Sequence, residues 1–286
     1  MRIVNALRNL DALYPEGQFE LAAWRDYMDA LLPGIAEKAE ADLRACTATG
    51  RFTWEKDFLP VLQGAWEHTA ARQEAEASFR AVTETLEARM AAAGMQPVDA
   101  GLVLYLGLCS GAGWVTQVQG RDAVLLGVEK IIELGWHGHQ DMTGLILHEL
   151  GHVYQGQHGV LERPELTGRQ AFLWQLFTEG VAMVFEQRVQ GDADYFHQDK
   201  EGWREACQAR LSQLAADFAA DLDFMTFDTQ RYFGDWVRWE GLGDTGYFLG
   251  TRFVQHVCQE RAFDSILSAD VAQVEGWFAD FLRAMK

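Results

Sequence analysis

One stretch of uncharged residues most constrains how this chain folds. Between Asp141 and Glu162 the only Asp, Glu, Lys or Arg is Glu149, which His148 and His152 flank in a His-Glu-x-x-His pattern. Residues four apart lie on one face of a helix, about 6 Å apart along its axis, so both imidazoles can reach one ion. An isolated buried carboxylate is costly unless it has a partner. The stretch therefore predicts a buried, metal-binding helix with Asp141 as its N-cap.

A second apolar segment supplies the candidate for a third ligand. Catalytic zinc takes three protein ligands and keeps a fourth position for water. Between Arg169 and Glu186 the only charged residue is Glu179, and Gly180 follows it. Gly180, like Gly151 inside the histidine motif, weakens a helix interior by about 1 kcal/mol. Both glycines therefore predict the close approach of another backbone or of a metal site.

These two segments together resemble the site of the gluzincin metallopeptidases. The similarity rests on the His-Glu-x-x-His motif at His148–His152 and the later run Thr178–Ala182. It is greatest to bacterial groups of predicted zinc-dependent proteases, in which a Glu-Gly pair on the next helix provides the third ligand. The resemblance covers roughly residues 101–253.

The resemblance implies a zinc-dependent hydrolase of peptide bonds. One Zn²⁺ per chain would be held by His148, His152 and Glu179, and Glu149 would act as the general base. A downstream tyrosine donates a hydrogen bond to the oxyanion in some relatives, and Tyr247 is the candidate for that role.

The chain departs from the family pattern in two respects. No Gly-x-Met-Glu-Asn stretch precedes the motif, so aminopeptidase activity is not supported. Thermolysin-like enzymes carry an aspartate four residues after the glutamate ligand, which orients a metal-binding histidine, whereas Met183 occupies that position here. The orienting partner is expected from Thr178, Gln175 or a backbone carbonyl.

The rest of the chain predicts a mostly helical protein with a small sheet. Up to about Gly94 it is rich in Ala, Glu and Arg, with an amphipathic stripe over residues 79–90, and we expect helices there. Three apolar runs follow, and Gln119–Asp122 predicts a hairpin turn between the last two. These runs are Leu102–Leu106, Trp114–Val118 and Ala123–Val128. After Trp136 the pattern is helical to the end.

The expected fold class is α+β, predominantly helical. A small antiparallel or mixed sheet precedes a zincin-like helix with the histidine motif, and the C-terminal half is helical. We divide the chain into an N-terminal helical region, residues 1–95, and a zincin-like metallopeptidase region, residues 96–286. The run Ala123–Val128 is expected at a sheet edge facing the cleft, where an extended peptide can pair with it.

The charge of the chain limits its partners. It carries 24 Lys and Arg against 42 Asp and Glu, a net charge of −18. Nucleic acid and anionic lipid repel such a polyanion. We therefore expect neither nucleic acid nor membrane as partner, and the peptide or protein substrate that the resemblance implies is expected to be neutral or basic. The first residues lack the features of a signal peptide and the four cysteines form no CxxC pair, which favours a cytoplasmic protein with reduced thiols.

Several other polar residues are weaker candidates for the site. His137 and His139 form a possible ligand pair before the metal helix, Tyr154 and His256 are substitute oxyanion donors, and Arg252 is a possible carboxylate-binding group. A structural or surface role is the better explanation for each of them.

Three alternatives to the hydrolase remain open. In a non-catalytic metal-binding or regulatory protein the zinc would be a structural clip, which does not need Glu149. The segment Glu149–His152 also matches the Glu-x-x-His pattern of di-iron helix bundles, but the chain has no second copy and its strands fit a bundle poorly. In the third alternative the same side chains form a buried, hydrogen-bonded cluster without metal.

Overall fold

The structure is a computed structural model and describes residues 1–285 of the chain. It is an α+β protein, about 59% helical, with one small mixed sheet. The chain forms two compact units, the first at Met1–Glu149 and the second from Leu150 to the end of the described residues. The division predicted between residues 95 and 96 stays a prediction.

The helices of the first unit include the predicted amphipathic one, α4. Its stripe of Phe79, Val82, Leu86 and Met90 is buried, as the spacing of these residues predicts. The helices of this unit are α1 (Leu21–Leu31), α2 (Ile35–Ala48), α3 (Leu59–Glu67), α4 (Thr69–Ala92) and α5 (Val128–Glu133). Helix α6 (His139–His158) begins in the first unit and ends in the second.

The four-stranded sheet also lies in the first unit. Its strands are β1 (Arg2–Asn5), β2 (Gly101–Tyr105), β3 (Gly113–Val118) and β4 (Arg121–Gly127). The spatial order is β1-β2-β4-β3, with β1, β2 and β4 parallel and β3 antiparallel to β4. The sheet is therefore mixed.

The predicted hairpin is confirmed. Val118 of β3 pairs with Arg121 of β4 across a two-residue turn. Gln119 and Gly120 in this turn both have positive φ, 52° and 76°, as a type I′ hairpin turn requires.

Two expectations about the sheet are wrong. The region up to Gly94 is not helical throughout, because Arg2–Asn5 forms a strand that pairs with β2. The run Ala123–Val128 is not an edge either, since β4 lies between β2 and β3. Val124 to Leu126 are fully buried, as is typical of a central strand whose sheet is covered on both faces. The two edges are β1 and β3.

The second unit is helical, which confirms the predicted C-terminal half. After the end of α6 it contains α7 (Arg169–Gln190), α8 (Trp203–Ala209), α9 (Leu211–Asp221), α10 (Thr245–Val257), α11 (Phe263–Ile266) and α12 (Val271–Ala284). Its core is aromatic, with Phe253 packed against Phe278 and Phe281. None of the helices within residues 1–285 combines the length and the apolar character needed to cross a bilayer.

Candidate metal centre

Helix α6 presents the first three residues of the site. It contains His148, Glu149 and His152, with His148 and Glu149 buried and His152 partly exposed. The helix begins at His139, so the prediction of Asp141 as N-cap is wrong. Asp141 lies instead in the first turn, where its carboxylate still faces the positive end of the helix dipole.

Glycine brings α6 close to α7, as the sequence predicts. A Cβ atom on Gly151 would lie 2.7 Å from the Cα of Ala182, a distance that side chains do not adopt. Because Gly151 precedes His152 and Ala182 lies one turn after Glu179, this crossing brings two candidate ligands together. His152 Nε2 lies 3.3 Å from Glu179 Oε2.

The three predicted ligands converge. One side-chain donor atom each from His148, His152 and Glu179 lies within 4.8 Å of the others, so the group can hold a metal ion. Two imidazole nitrogens and one carboxylate oxygen suit a borderline divalent ion such as zinc. Two ligands of a tetrahedral zinc ion are about 3.4 Å apart, close to the separation of His152 Nε2 and Glu179 Oε2. The residues present therefore fit the ion.

Glu149 lies against the start of strand β3. A Cβ atom on Gly113 would come within 2.6 Å of the Glu149 Cγ and Oε1 atoms, so any other residue at this position would displace the carboxylate. The sequence analysis did not single out Gly113. A glycine at the beginning of a strand was the available signal, because it often marks a close approach.

A buried glutamate that the sequence analysis missed holds the loop before β3. Glu129 is 1% exposed and accepts hydrogen bonds from the backbone N–H groups of Gly107 (2.8 Å) and Cys109 (3.0 Å). Burial raises the pKa of Glu129 to about 7, because the loss of solvation outweighs these hydrogen bonds. Glu129 thereby anchors the loop that leads to Gly113.

The position of Tyr247 is set by a second glycine crossing. A Cβ atom on Gly180 would overlap the carbonyl oxygen of Gly250, which confirms the predicted close approach of a backbone to Gly180. Tyr247 lies one turn before Gly250 on α10, and its half-buried ring contacts Phe233 edge-on at 5.9 Å. Its role as oxyanion donor stays a prediction.

Thr178 and Gln175, the candidates for orienting a metal-binding histidine, are hydrogen-bonded to each other on α7. The Thr178 hydroxyl donates to the Gln175 carbonyl at 3.1 Å. The Met183 sulfur accepts a hydrogen bond from the Gln198 side chain at 3.7 Å. Gln198 is thus a contact of Met183.

Helix α7 carries a further glutamate that the sequence analysis missed. Both carboxylate oxygens of Glu186 lie 3.0 Å from His197 Nδ1, and both residues are almost fully buried. The Glu186 position was not apparent because it ends the apolar run and polar residues follow it. Glu186 and His197 form a buried pair inside the second unit.

The weaker candidates Tyr154, Arg252 and His256 each contact residues of the second unit that explain their positions. The Tyr154 hydroxyl donates to Asp264 at 2.9 Å, and the fully buried Tyr154 ring packs in the core. Arg252 forms an ion pair with Asp194 at 2.9 Å. The His256 ring packs against the Phe281 ring.

The other histidine pair lies outside the metal group. His137 Nε2 is 3.8 Å from a carboxylate oxygen of Glu74, and His139 is the first residue of α6. Within residues 1–285 the one set of three ligand atoms that can share an ion does not include these two histidines. No protein-family model, no curated protein and no solved structure matches this chain.

Proposed function

We propose that this protein is a zinc-dependent hydrolase of peptide bonds. The observation that carries the proposal is the convergence of His148, His152 and Glu179, with Glu149 adjacent to the first of them. When bound, zinc supplies Lewis acidity that polarises the scissile carbonyl and lowers the pKa of water.

Glu149 performs the proton transfers in this proposal. Its carboxylate takes a proton from the attacking water and delivers it to the nitrogen of the leaving amine. Gly113 supports this role, since the absence of a side chain there leaves space for the Glu149 carboxylate beside β3. Tyr247 is the proposed hydrogen-bond donor to the oxyanion.

The edge strand β3 is the proposed place for an extended substrate. Its outer edge carries backbone groups that can pair with a peptide. Because Gly113 begins β3 and lies against Glu149, a peptide paired with this strand passes the general base. This replaces the role that the sequence analysis expected for the run Ala123–Val128.

Metal content tests the first half of the proposal. Elemental mass spectrometry of untagged protein, purified without chelator, is expected to find about one zinc per chain. The zinc content should fall sharply in Glu179→Ala and His152→Ala. His158→Ala is the matched control, since it removes another histidine of α6 that packs on the Tyr154 ring. No zinc in the wild type after incubation with zinc, or full zinc in Glu179→Ala, overturns the proposal.

Peptide hydrolysis tests the second half. The wild type is expected to cleave members of a peptide library, and Glu149→Gln should lower kcat by at least about a hundredfold while retaining zinc. Glu165→Gln, an exposed glutamate paired with Arg163, is the control. Stoichiometric zinc without any cleavage that depends on Glu149 favours the alternative, a non-catalytic metal-binding protein.

A further inference from the structure

Three large aromatic side chains between α9 and α10 lie in solvent. Phe224 is 82% exposed, Phe227 58% and Trp236 40%, and we call these three residues the aromatic patch. The ring centroids of Phe227 and Trp236 are 6.2 Å apart. The only other large hydrophobic residue with comparable exposure in the described chain is Ile3. Clustered exposed aromatic groups are typical of interaction sites.

The backbone below the aromatic patch is fixed by hydrogen bonds. The buried Gln230 side chain donates to the Phe233 carbonyl at 2.7 Å and accepts from the N–H groups of Tyr232 and Phe233. The Tyr232 hydroxyl donates to Asp221 at 2.6 Å. A surface fixed in this way loses little conformational entropy when it binds a partner.

The charge around the aromatic patch is negative. Residues 221–240 contain five carboxylates and two arginines, and Arg169 of α7 pairs with Asp223 at 3.0 Å, so this group carries a net charge of −2. Arg231 is engaged with the Asp221 carboxylate and Arg238 with the carbonyls of Asp235 and Val237. The exposed Asp228 follows Phe227 in the sequence.

We infer that the aromatic patch and its carboxylates bind a peptide segment of another protein that combines basic with apolar side chains. Apolar groups would cover Phe224 and Phe227, while lysine or arginine would lie over the aromatic faces and near the carboxylates. The net charge of −18 argues against a second copy of this chain or an anionic lipid as the occupant, because like charges repel. The 43° tilt between the Phe227 and Trp236 rings argues against a flat sugar platform.

Titration with a fluorescent twelve-residue peptide of alternating lysine and leucine tests the inference. Phe227→Ala/Trp236→Ala should raise its Kd at least tenfold, whereas Ile3→Thr, the matched exposed hydrophobic residue, should leave it unchanged. Asp228→Asn should raise the Kd several-fold and weaken its dependence on salt, whereas Asp223→Asn, which removes a carboxylate already paired with Arg169, should have a smaller effect. A peptide with glutamate in place of lysine should not bind.

The docking surface is independent of the proposed hydrolase. Binding should persist in Glu179→Ala protein, so loss of metal and loss of docking can be told apart. Equal binding by wild type and Phe227→Ala/Trp236→Ala, or equal binding of the glutamate peptide, overturns the inference. Wild-type protein that forms a dimer in sedimentation experiments, while Phe227→Ala/Trp236→Ala stays monomeric, also overturns it, because the occupant is then a second copy.

Discussion

Helix α7 carries two glutamates, seven residues apart, that each face a histidine, and the two pairs differ in their access to solvent. Glu179 and His152 are 3.3 Å apart, with 16% and 13% of their side chains exposed. Glu186 and His197 are 3.0 Å apart, with 0% and 2% exposed. His148 joins the first pair within 4.8 Å, whereas the second pair belongs to no group of three ligand atoms among residues 1–285.

The comparison shows that the surroundings of a pair, rather than its residue types, determine what it can do. A partly exposed pair can exchange an ion and a water molecule with solvent. In the buried pair each group is a partner of the other away from solvent, so removal of one leaves the other with less compensation for its burial. Glu179 and Glu186 therefore suit binding and stability respectively, although one helix positions both.

The largest expected loss of stability comes from breaking the buried pair of Glu186 and His197. His197→Ala should lower the free energy of unfolding by about 3–5 kcal/mol, because the Glu186 carboxylate loses its buried partner. His152→Ala, the matched change in the partly exposed pair, should lower the free energy of unfolding by less than His197→Ala does when both proteins are held in chelator, because solvent reaches Glu179. Urea denaturation followed by circular dichroism measures both values. Equal losses would show that burial does not distinguish the pairs.

Zinc should stabilise the protein through the partly exposed pair of His152 and Glu179, and not through Glu186 and His197. At a concentration a hundred times its Kd, zinc should raise the free energy of unfolding of the wild type by about 2.7 kcal/mol. Glu179→Ala should show little of this gain, and Glu186→Gln should retain it. Thermal denaturation with and without zinc measures the difference. A gain in Glu179→Ala as large as in the wild type contradicts the assignment of the ligand.

The glycine crossing between α7 and α10 can be tested separately. Gly180→Ala should cost about 2 kcal/mol, since its new methyl group meets the Gly250 backbone. Gly276→Ala on α12 is the control, because nothing lies within 4 Å of its Cβ position, and it should stabilise the protein by up to about 1 kcal/mol. Chemical denaturation of both variants measures the free energy of unfolding. A Gly180→Ala protein as stable as the wild type would contradict the close crossing.

Glu129 should give a smaller effect on stability, which depends on pH. It extends the comparison to a buried carboxylate whose hydrogen-bond donors are backbone N–H groups. Its folded-state pKa of about 7 lies above the ordinary value of 4.5, so the protonated form favours folding and this contribution is lost as pH rises through 7. From pH 6 to pH 8 the wild type should lose about 1 kcal/mol relative to Glu129→Gln. The measurement is a series of denaturation curves at different pH for both proteins. If their free energies of unfolding change in parallel with pH, the raised pKa of Glu129 is contradicted.

The group of residues that could hold a metal ion was predictable from sequence because its signals are local. His148 and His152 repeat at a helical spacing, and Glu179 is the single charge in an apolar helix. Gly151 and Gly180 indicated the two helix crossings for the same reason, because each is a helix-weakening glycine within a helical segment. Each of these signals lies within a few residues of the position that it identified.

What could not be predicted depends on partners that are far away in the chain. The order of strands in the sheet requires the pairing of β1 with β2, about a hundred residues later, and no local period encodes it. Glu129 directly follows a predicted strand, and nothing in the neighbouring sequence indicates that it accepts hydrogen bonds from Gly107 and Cys109. His197 lies in an irregular segment, where neither helical nor strand spacing indicates burial.

The parallel pairing of β1 with β2 has a consequence for how the protein is made. Arg2 pairs with Gly101, so β1 leaves the ribosome well before its partner has been translated. At a synthesis rate of about 5–20 residues per second the delay is roughly 5–20 s. During this interval β1 is a short extended segment without its neighbour, and Ile3 has no sheet to join. β1 can therefore join the sheet only after translation has passed β2.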